Sequence, residues 1–168
     1  MRSSTRKKTL FITYSAMIAA LYVVLTVLSN TFGLASNVIQ CRLSEALCIL
    51  PFFTPAAIPG LFIGCLLANL LTGCVIWDVI FGSLATLIGA LLGYAIRKHK
   101  YLITLPTILA NILIVPFILR YAYDIPDAIP YLMATVGIGE IISAGILGTM
   151  LLLVLNKYKQ QLFGRLFY

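Results

Sequence analysis

Charged side chains interrupt this chain so rarely that the apolar runs between them set its outline. Residues 9–41, 46–77, 79–96 and 101–119 carry no charge, and residues 128–156 carry one, Glu140. A membrane-crossing helix takes about 20 predominantly apolar residues. The runs therefore predict helices over 9–29, 43–53, 56–73, 77–97, 101–122 and 128–156. The second is too short for a hydrocarbon core of about 30 Å at a rise of about 1.5 Å per residue. Pro51, Pro55 and Pro59 punctuate it and the turn that follows. Irregular backbone at membrane depth is tolerated where it is packed in protein or lines a cavity. Residues 30–42 are therefore expected to fold back into the outer half and complete the bundle above the short helix.

The basic residues orient this pattern. Arg2, Arg6, Lys7 and Lys8 form one cluster, Arg97, Lys98 and Lys100 a second, and Lys157, Lys159 and Arg165 a third. Lys and Arg concentrate on the cytoplasmic side of membrane proteins. With all three clusters inside, the number of crossings between successive clusters is even. Four crossings fit between the first pair of clusters and two between the second. The expected fold is all-α and polytopic: a single domain over 1–168, with six transmembrane helices and both termini cytoplasmic. The first apolar run, Leu10 to about Leu28, exceeds the 7–15 residues of a signal-peptide core and reads as a retained helix.

Composition removes most other classes. The chain has 168 residues, 61% hydrophobic and 10% charged. Soluble domains carry roughly 25% charged residues. A net charge of +7 would point to nucleic acid in a soluble protein. Here the basic residues fall between apolar runs, so topology accounts for them and no nucleic-acid partner is expected. There is no GxxxxGK[ST] loop, so ATP hydrolysis is not expected of this chain. The only histidine, His99, lies in a basic cluster without a nearby acid. The spacing of Cys41, Cys48, Cys65 and Cys74 matches no zinc pattern, and free thiols are expected rather than a Cys41–Cys74 bridge. No metal or cofactor is expected.

The polar residues left inside the runs are the candidates for chemistry. Glu140 lies mid-helix with apolar neighbours on both sides, and an ionisable group at that depth is a functional candidate. Its alternative role is a structural partner for Arg42 or Arg120. Asn69 and Asn111 lie in predicted helices, where asparagine commonly bonds a neighbouring helix. Arg42 and Glu45, three residues apart, could pair on one face of a helix start. Trp77 and Asp78 open the fourth helix, as an interfacial aromatic and an N-terminal acid. Tyr121, Tyr123 and Tyr131 read as interfacial residues too. Small residues recur at helical spacing in Ala16/Ala20, Gly60/Gly64 and Gly89/Gly93. The glycine pairs suit packing within the bundle, and Ala16/Ala20 could face a partner helix.

The stretch QCRLSEALCILPFFTPAAIPGLFIGCLLANLLTG, Gln40 to Gly73, resembles the QueT family, as does WDVIFGSLATLIGALLGY, Trp77 to Tyr94. The RLSEAL and LPFFTPAAIPGLFIG segments carry the resemblance most specifically. QueT proteins are substrate-binding S components of energy-coupling factor (ECF) transporters. The resemblance implies a multi-pass protein of a prokaryotic cell membrane. It implies partnership with a membrane T component and two cytoplasmic ATPase subunits. It implies as ligand a queuosine precursor, a 7-substituted deazaguanine base, bound near the outer face. The family's Ala-x-x-x-Ala docking motif is matched by Ala16 and Ala20.

The candidate residues are consistent with such a ligand. A guanine-like edge offers two adjacent N–H donors and a carbonyl. Glu140 could accept both donors, Asn69, Asn111 or Arg42 could donate to the carbonyl, and Trp77 or a tyrosine could stack on the ring. Glu45 and Asp78 suit an aminomethyl cation. Three competing readings remain at this level. They are an S component for another vitamin-like nutrient, a proton-coupled secondary transporter, and a membrane-embedded enzyme using Glu140 with Asp78.

Overall fold

The computed structural model of the chain describes residues 2–34 and 40–167, and these residues form helices throughout, without strands. Helix α1 spans Arg2–Thr31. A ten-residue 3-10 helix spans Leu43–Phe52. Helices α2, Ala57–Leu71, α3, Ile76–Ala95, and α4, Leu105–Tyr121, follow. The last rod is continuous but composite: α5, Ile129–Glu140, a π-helical segment, Ile141–Leu147, and α6, Gly148–Lys157. A terminal helix α7 spans Lys159–Phe167. Three rods are long and apolar enough to cross a membrane: residues 5–31, 76–95 and 129–157. The 3-10 helix, α2 and α4 are apolar and shorter, at 10, 15 and 17 residues.

Local sequence explains the element boundaries. Pro106 and Pro130 sit in the first turns of α4 and α5, where a missing N–H costs nothing. Gly73 ends α2 in the left-handed region at φ +73°. There Cys74 N–H donates to Asn69 O at 3.0 Å, closing the helix and turning the chain toward α3. Leu43–Phe52 contains Pro51 and holds a 3-10 geometry far beyond the usual three or four residues. Its start is fastened to α1 by side chains. Ser29 Oγ accepts from Leu43 N–H at 2.9 Å, and Thr26 Oγ1 donates to Ser44 Oγ at 2.8 Å. The expected fold-back over 30–42 lies partly outside the described residues. Its two stems are joined by Cys41 N–H donating to Leu34 O at 2.9 Å.

Close backbone approaches at glycine hold the rods together. A Cβ on Gly64 would lie 2.7 Å from Tyr22 Cβ, and one on Gly60 2.8 Å from Ser15 O, so α1 and α2 meet along this face. Gly89 and Gly93 play the same part against Thr107 and Ile103 of the α4 side. Ala16 and Ala20 lie on the opposite, exposed face of α1, beside Met17 and Leu21.

The contacts define two ends. At one, the Tyr14 hydroxyl donates to Leu162 O, and Phe53 stacks on Phe163 at 5.0 Å. Lys159 Nζ lies 5.6 Å from the Phe52 ring, and Ile103, just beyond the second basic cluster, joins the same buried core. The chain thus begins and ends at the end that gathers its basic segments. The other end carries the polar cavity.

Candidate functional site

The cavity lies where the C-terminal ends of α1, α2 and α4 meet the start of α3 and the stretch before the 3-10 helix. Its outer part, about 240 Å³, is lined by Asn30, Thr72, Asp78 and Tyr123 among others. A smaller inner chamber of about 20 Å³ is lined by Glu45, Cys65, Thr86, Asn111 and Glu140. Gln40, Arg42 and Val115 line both. Six of the seven residues singled out for ligand binding in the sequence therefore line one or both spaces: Arg42, Glu45, Asn69, Asp78, Asn111 and Glu140. Trp77 does not. It is 55% exposed, stacks on Phe81 at 6.0 Å, and faces a separate apolar groove between α3 and α4.

Glu140 closes α5 at the point where the rod turns π-helical. Asn111 Nδ2 donates to its Oε1 at 2.9 Å. Its other oxygen, Oε2, is buried without a partner, a condition shared among the described residues only by Thr107 Oγ1. The expected structural pairing with Arg42 or Arg120 is not what the structure shows. Arg120 Nη1 donates instead to Ile125 O at 2.9 Å, and Arg42 turns to Asp78. A buried carboxylate oxygen without a donor is costly unless a ligand supplies one.

The Arg42–Glu45 pairing expected from sequence is also replaced. Arg42 is the residue before the 3-10 helix and has extended backbone, φ −100° and ψ 113°. It therefore leaves the helical face that Glu45 occupies. Its Nη2 lies 3.7 Å from Asp78 Oδ2, the one ion pair among the described residues. Glu45 is buried and accepts from the Tyr22 hydroxyl, and from Cys48 Sγ at 3.2 Å. Both its oxygens are thereby occupied by protein donors. Asn69 Nδ2 reaches Asp78 O at 3.3 Å and so ties α2 to α3. All four cysteines are free thiols.

Two residues of this network carry no sequence signal. Tyr22 sits in an uncharged run and looks like any core aromatic. Tyr123, read as interfacial, instead donates to Asp78 Oδ2 at 3.1 Å and accepts from Val75 N–H at 3.3 Å. Partial burial, then the neighbouring Asp78 carboxylate, push the Tyr123 phenol above its ordinary pKa, so it stays a donor.

A polar cavity inside an apolar helical bundle is the anatomy of a protein that binds a small polar solute within a membrane. The model of the family described as QueT transporter matches residues 12–157. This chain belongs to the QueT transporter family. The Queuosine precursor transporter QueT of Lactococcus lactis subsp. cremoris (strain MG1363) is 39% identical over 88 residues, 52% of each chain. The chain thus spans about half the length of the curated relative it matches. No solved structure matches it. Membership in the QueT family accounts for the apolar rods of a membrane-integral protein.

Proposed function

We propose that this QueT-family chain binds queuosine precursors, 7-substituted deazaguanine bases, in the polar cavity. It does so as the S component of an ECF importer, with a membrane T component and two cytoplasmic ATPase subunits. In this reading the six rods cross a prokaryotic cell membrane, both termini are cytoplasmic, and the cavity opens to the outside. The observation that carries it is Glu140 Oε2, a buried acceptor without a protein donor at the deep end of a polar cavity. The adjacent N–H donors of a guanine-like edge supply what this oxygen lacks. Arg42, with guanidinium donors beyond those facing Asp78, reaches the carbonyl of the same edge from the boundary between the two spaces. The 7-substituent, opposite that edge, then points to the outer part, where Asp78 suits an aminomethyl cation. Glu45 is left a structural role, and Trp77, which faces the separate groove, takes no part in binding.

Binding to the purified full chain tests this directly. Isothermal titration with a 7-aminomethyl-7-deazaguanine should give a saturable response far stronger than guanine, riboflavin, biotin or folate. Equal and weak heats from all five would refute the substrate. The chain carries no nucleotide-binding loop, so uptake by cells should require co-expression of the ATPase-bearing partners. Uptake by the chain alone would support a proton-coupled carrier instead.

The exposed Ala16/Ala20 face of α1 supports docking on the T component, because small residues let helix backbones approach closely. The double variant Ala16→Leu, Ala20→Leu should bind ligand as the wild type does and fail to co-purify with the partners. A complex that survives both leucines places the docking face elsewhere.

A further inference from the structure

We infer that Tyr123 is a positioning residue: through Asp78 it holds Arg42 as a door between the outer part of the cavity and the inner chamber. Arg42 lines both spaces. Its backbone is extended and its guanidinium is restrained by the Asp78 carboxylate at 3.7 Å. That distance is longer than the roughly 2.7–2.9 Å of a tight charged hydrogen bond. The door is therefore lightly held, and whatever fixes Asp78 decides how long it stays shut.

Asp78 Oδ2 is shared between Arg42 and the Tyr123 hydroxyl. The carboxylate is given room by Gly82, where a Cβ would lie 2.9 Å from Asp78 Oδ1. Tyr123 also accepts from Val75 N–H, so one phenol joins the loop after α4 to the first turn of α3. The loop is braced to present it. Asp124 has φ +52°, unusual for a residue with a side chain. Arg120 holds Ile125 O at 2.9 Å, and Ile125 N–H returns to Leu119 O at 3.1 Å. The clasp thus links three separate segments across the path from the outer part to Glu140. On the functional reading above, a cationic substituent arriving at Asp78 competes with Arg42 for the same oxygen. It would loosen the door as it enters.

Cys65 reports on the door without any ligand. It lines the inner chamber beside Arg42 and is 1% exposed. Cys48 is equally buried and shares the same apolar core, but it does not line the chamber and donates to Glu45 Oε2. The full chain, purified, is treated with methyl methanethiosulfonate, and modification of each cysteine is followed by peptide mass spectrometry. Tyr123→Phe should accelerate Cys65 by roughly 2- to 10-fold, the factor by which one lost hydrogen bond raises an opening equilibrium. Cys48 should keep its wild-type rate. No change at Cys65, or equal acceleration at Cys48 and Cys65, would overturn the assignment, the latter by showing general loosening. A second measurement uses stopped-flow binding of the aminomethyl deazaguanine. Tyr123→Phe should raise the association and dissociation rates together and leave their ratio within about twofold, because a door changes passage and not the bound state. A fall in affinity at unchanged association rate would make Tyr123 a direct ligand contact instead. If Cys65 responds and the deazaguanine does not bind, the substrate reading fails and the door stands.

Discussion

Glu140→Gln should weaken binding of an aminomethyl deazaguanine by roughly 10- to 150-fold, or about 1.5–3 kcal/mol, the usual worth of a hydrogen bond to a charged group. The substitution preserves shape and keeps an amide oxygen for Asn111 Nδ2, which now donates to Glu140 Oε1 at 2.9 Å. It replaces the unpartnered Oε2 by an N–H₂ donor, which opposes the donors of a guanine-like edge. The same change replaces a buried ionisable group by a neutral one, so the thermal midpoint of the ligand-free protein should hold or rise. The two effects have opposite signs, and titration calorimetry with a melting curve separates them. Unchanged affinity would return Glu140 to a purely structural role.

Gly139→Ala should have a comparable effect through the backbone alone. A Cβ at this position would lie 2.1 Å from Gln40 O and 3.0 Å from Gln40 C. Main chain cannot rotate away as a side chain can, so the α5 helix or the stretch before the 3-10 helix must shift. Overpacking of this kind costs about 1–3 kcal/mol. Gln40 and Arg42 line both parts of the cavity, so the displaced segment carries the cavity wall with it. Ligand affinity should fall by about 10-fold or more, with a lowered melting point, if that cost falls on the bound state. Gly145→Ala provides the contrast: a Cβ there meets nothing closer than 3.8 Å and should be silent in both assays. Equal affinities for the two alanine variants would show that Gly139 does not set the position of the wall.

The sequence makes some of this legible and hides the rest for physical reasons. Helical rods without strands follow from uncharged runs, because only internally bonded backbone survives in lipid. Glu140 stands out as the one charge in its run, and Asn111 as an amide in another. That they touch is a matter of tertiary packing, which no spacing encodes. The Arg42–Glu45 pairing follows from helical periodicity but fails, because Arg42 lies outside the helix in extended backbone. Asp78, distant in sequence, is then its nearest acid. Tyr22 and Tyr123 are concealed by composition: a chain with nine tyrosines gives no reason to separate two hydrogen-bonded ones from those at the membrane surface. Trp77 is misplaced by one helix face. Asp78 and Val79 after it turn inward, whereas Trp77 lies on the face toward the groove between α3 and α4. The π-helical segment has no sequence marker beyond its glycine-rich surroundings, yet it follows Glu140 directly.

The stretched geometry of Leu43–Phe52 has a consequence for where a solute can be stored. At about 2.0 Å per residue, ten residues reach about 20 Å, whereas an α-helix of that length would reach about 15 Å. Against a hydrocarbon slab of about 30 Å, this column stops roughly 10 Å short. The long rods beside it, residues 5–31, 76–95 and 129–157, do not shorten to match, so a hollow is left by omission. A vessel built by leaving out masonry is enlarged or filled by changing chain length, not by trimming surfaces. Each residue inserted before Leu43 would thrust the column's head into the hollow and shrink the largest solute the protein can hold.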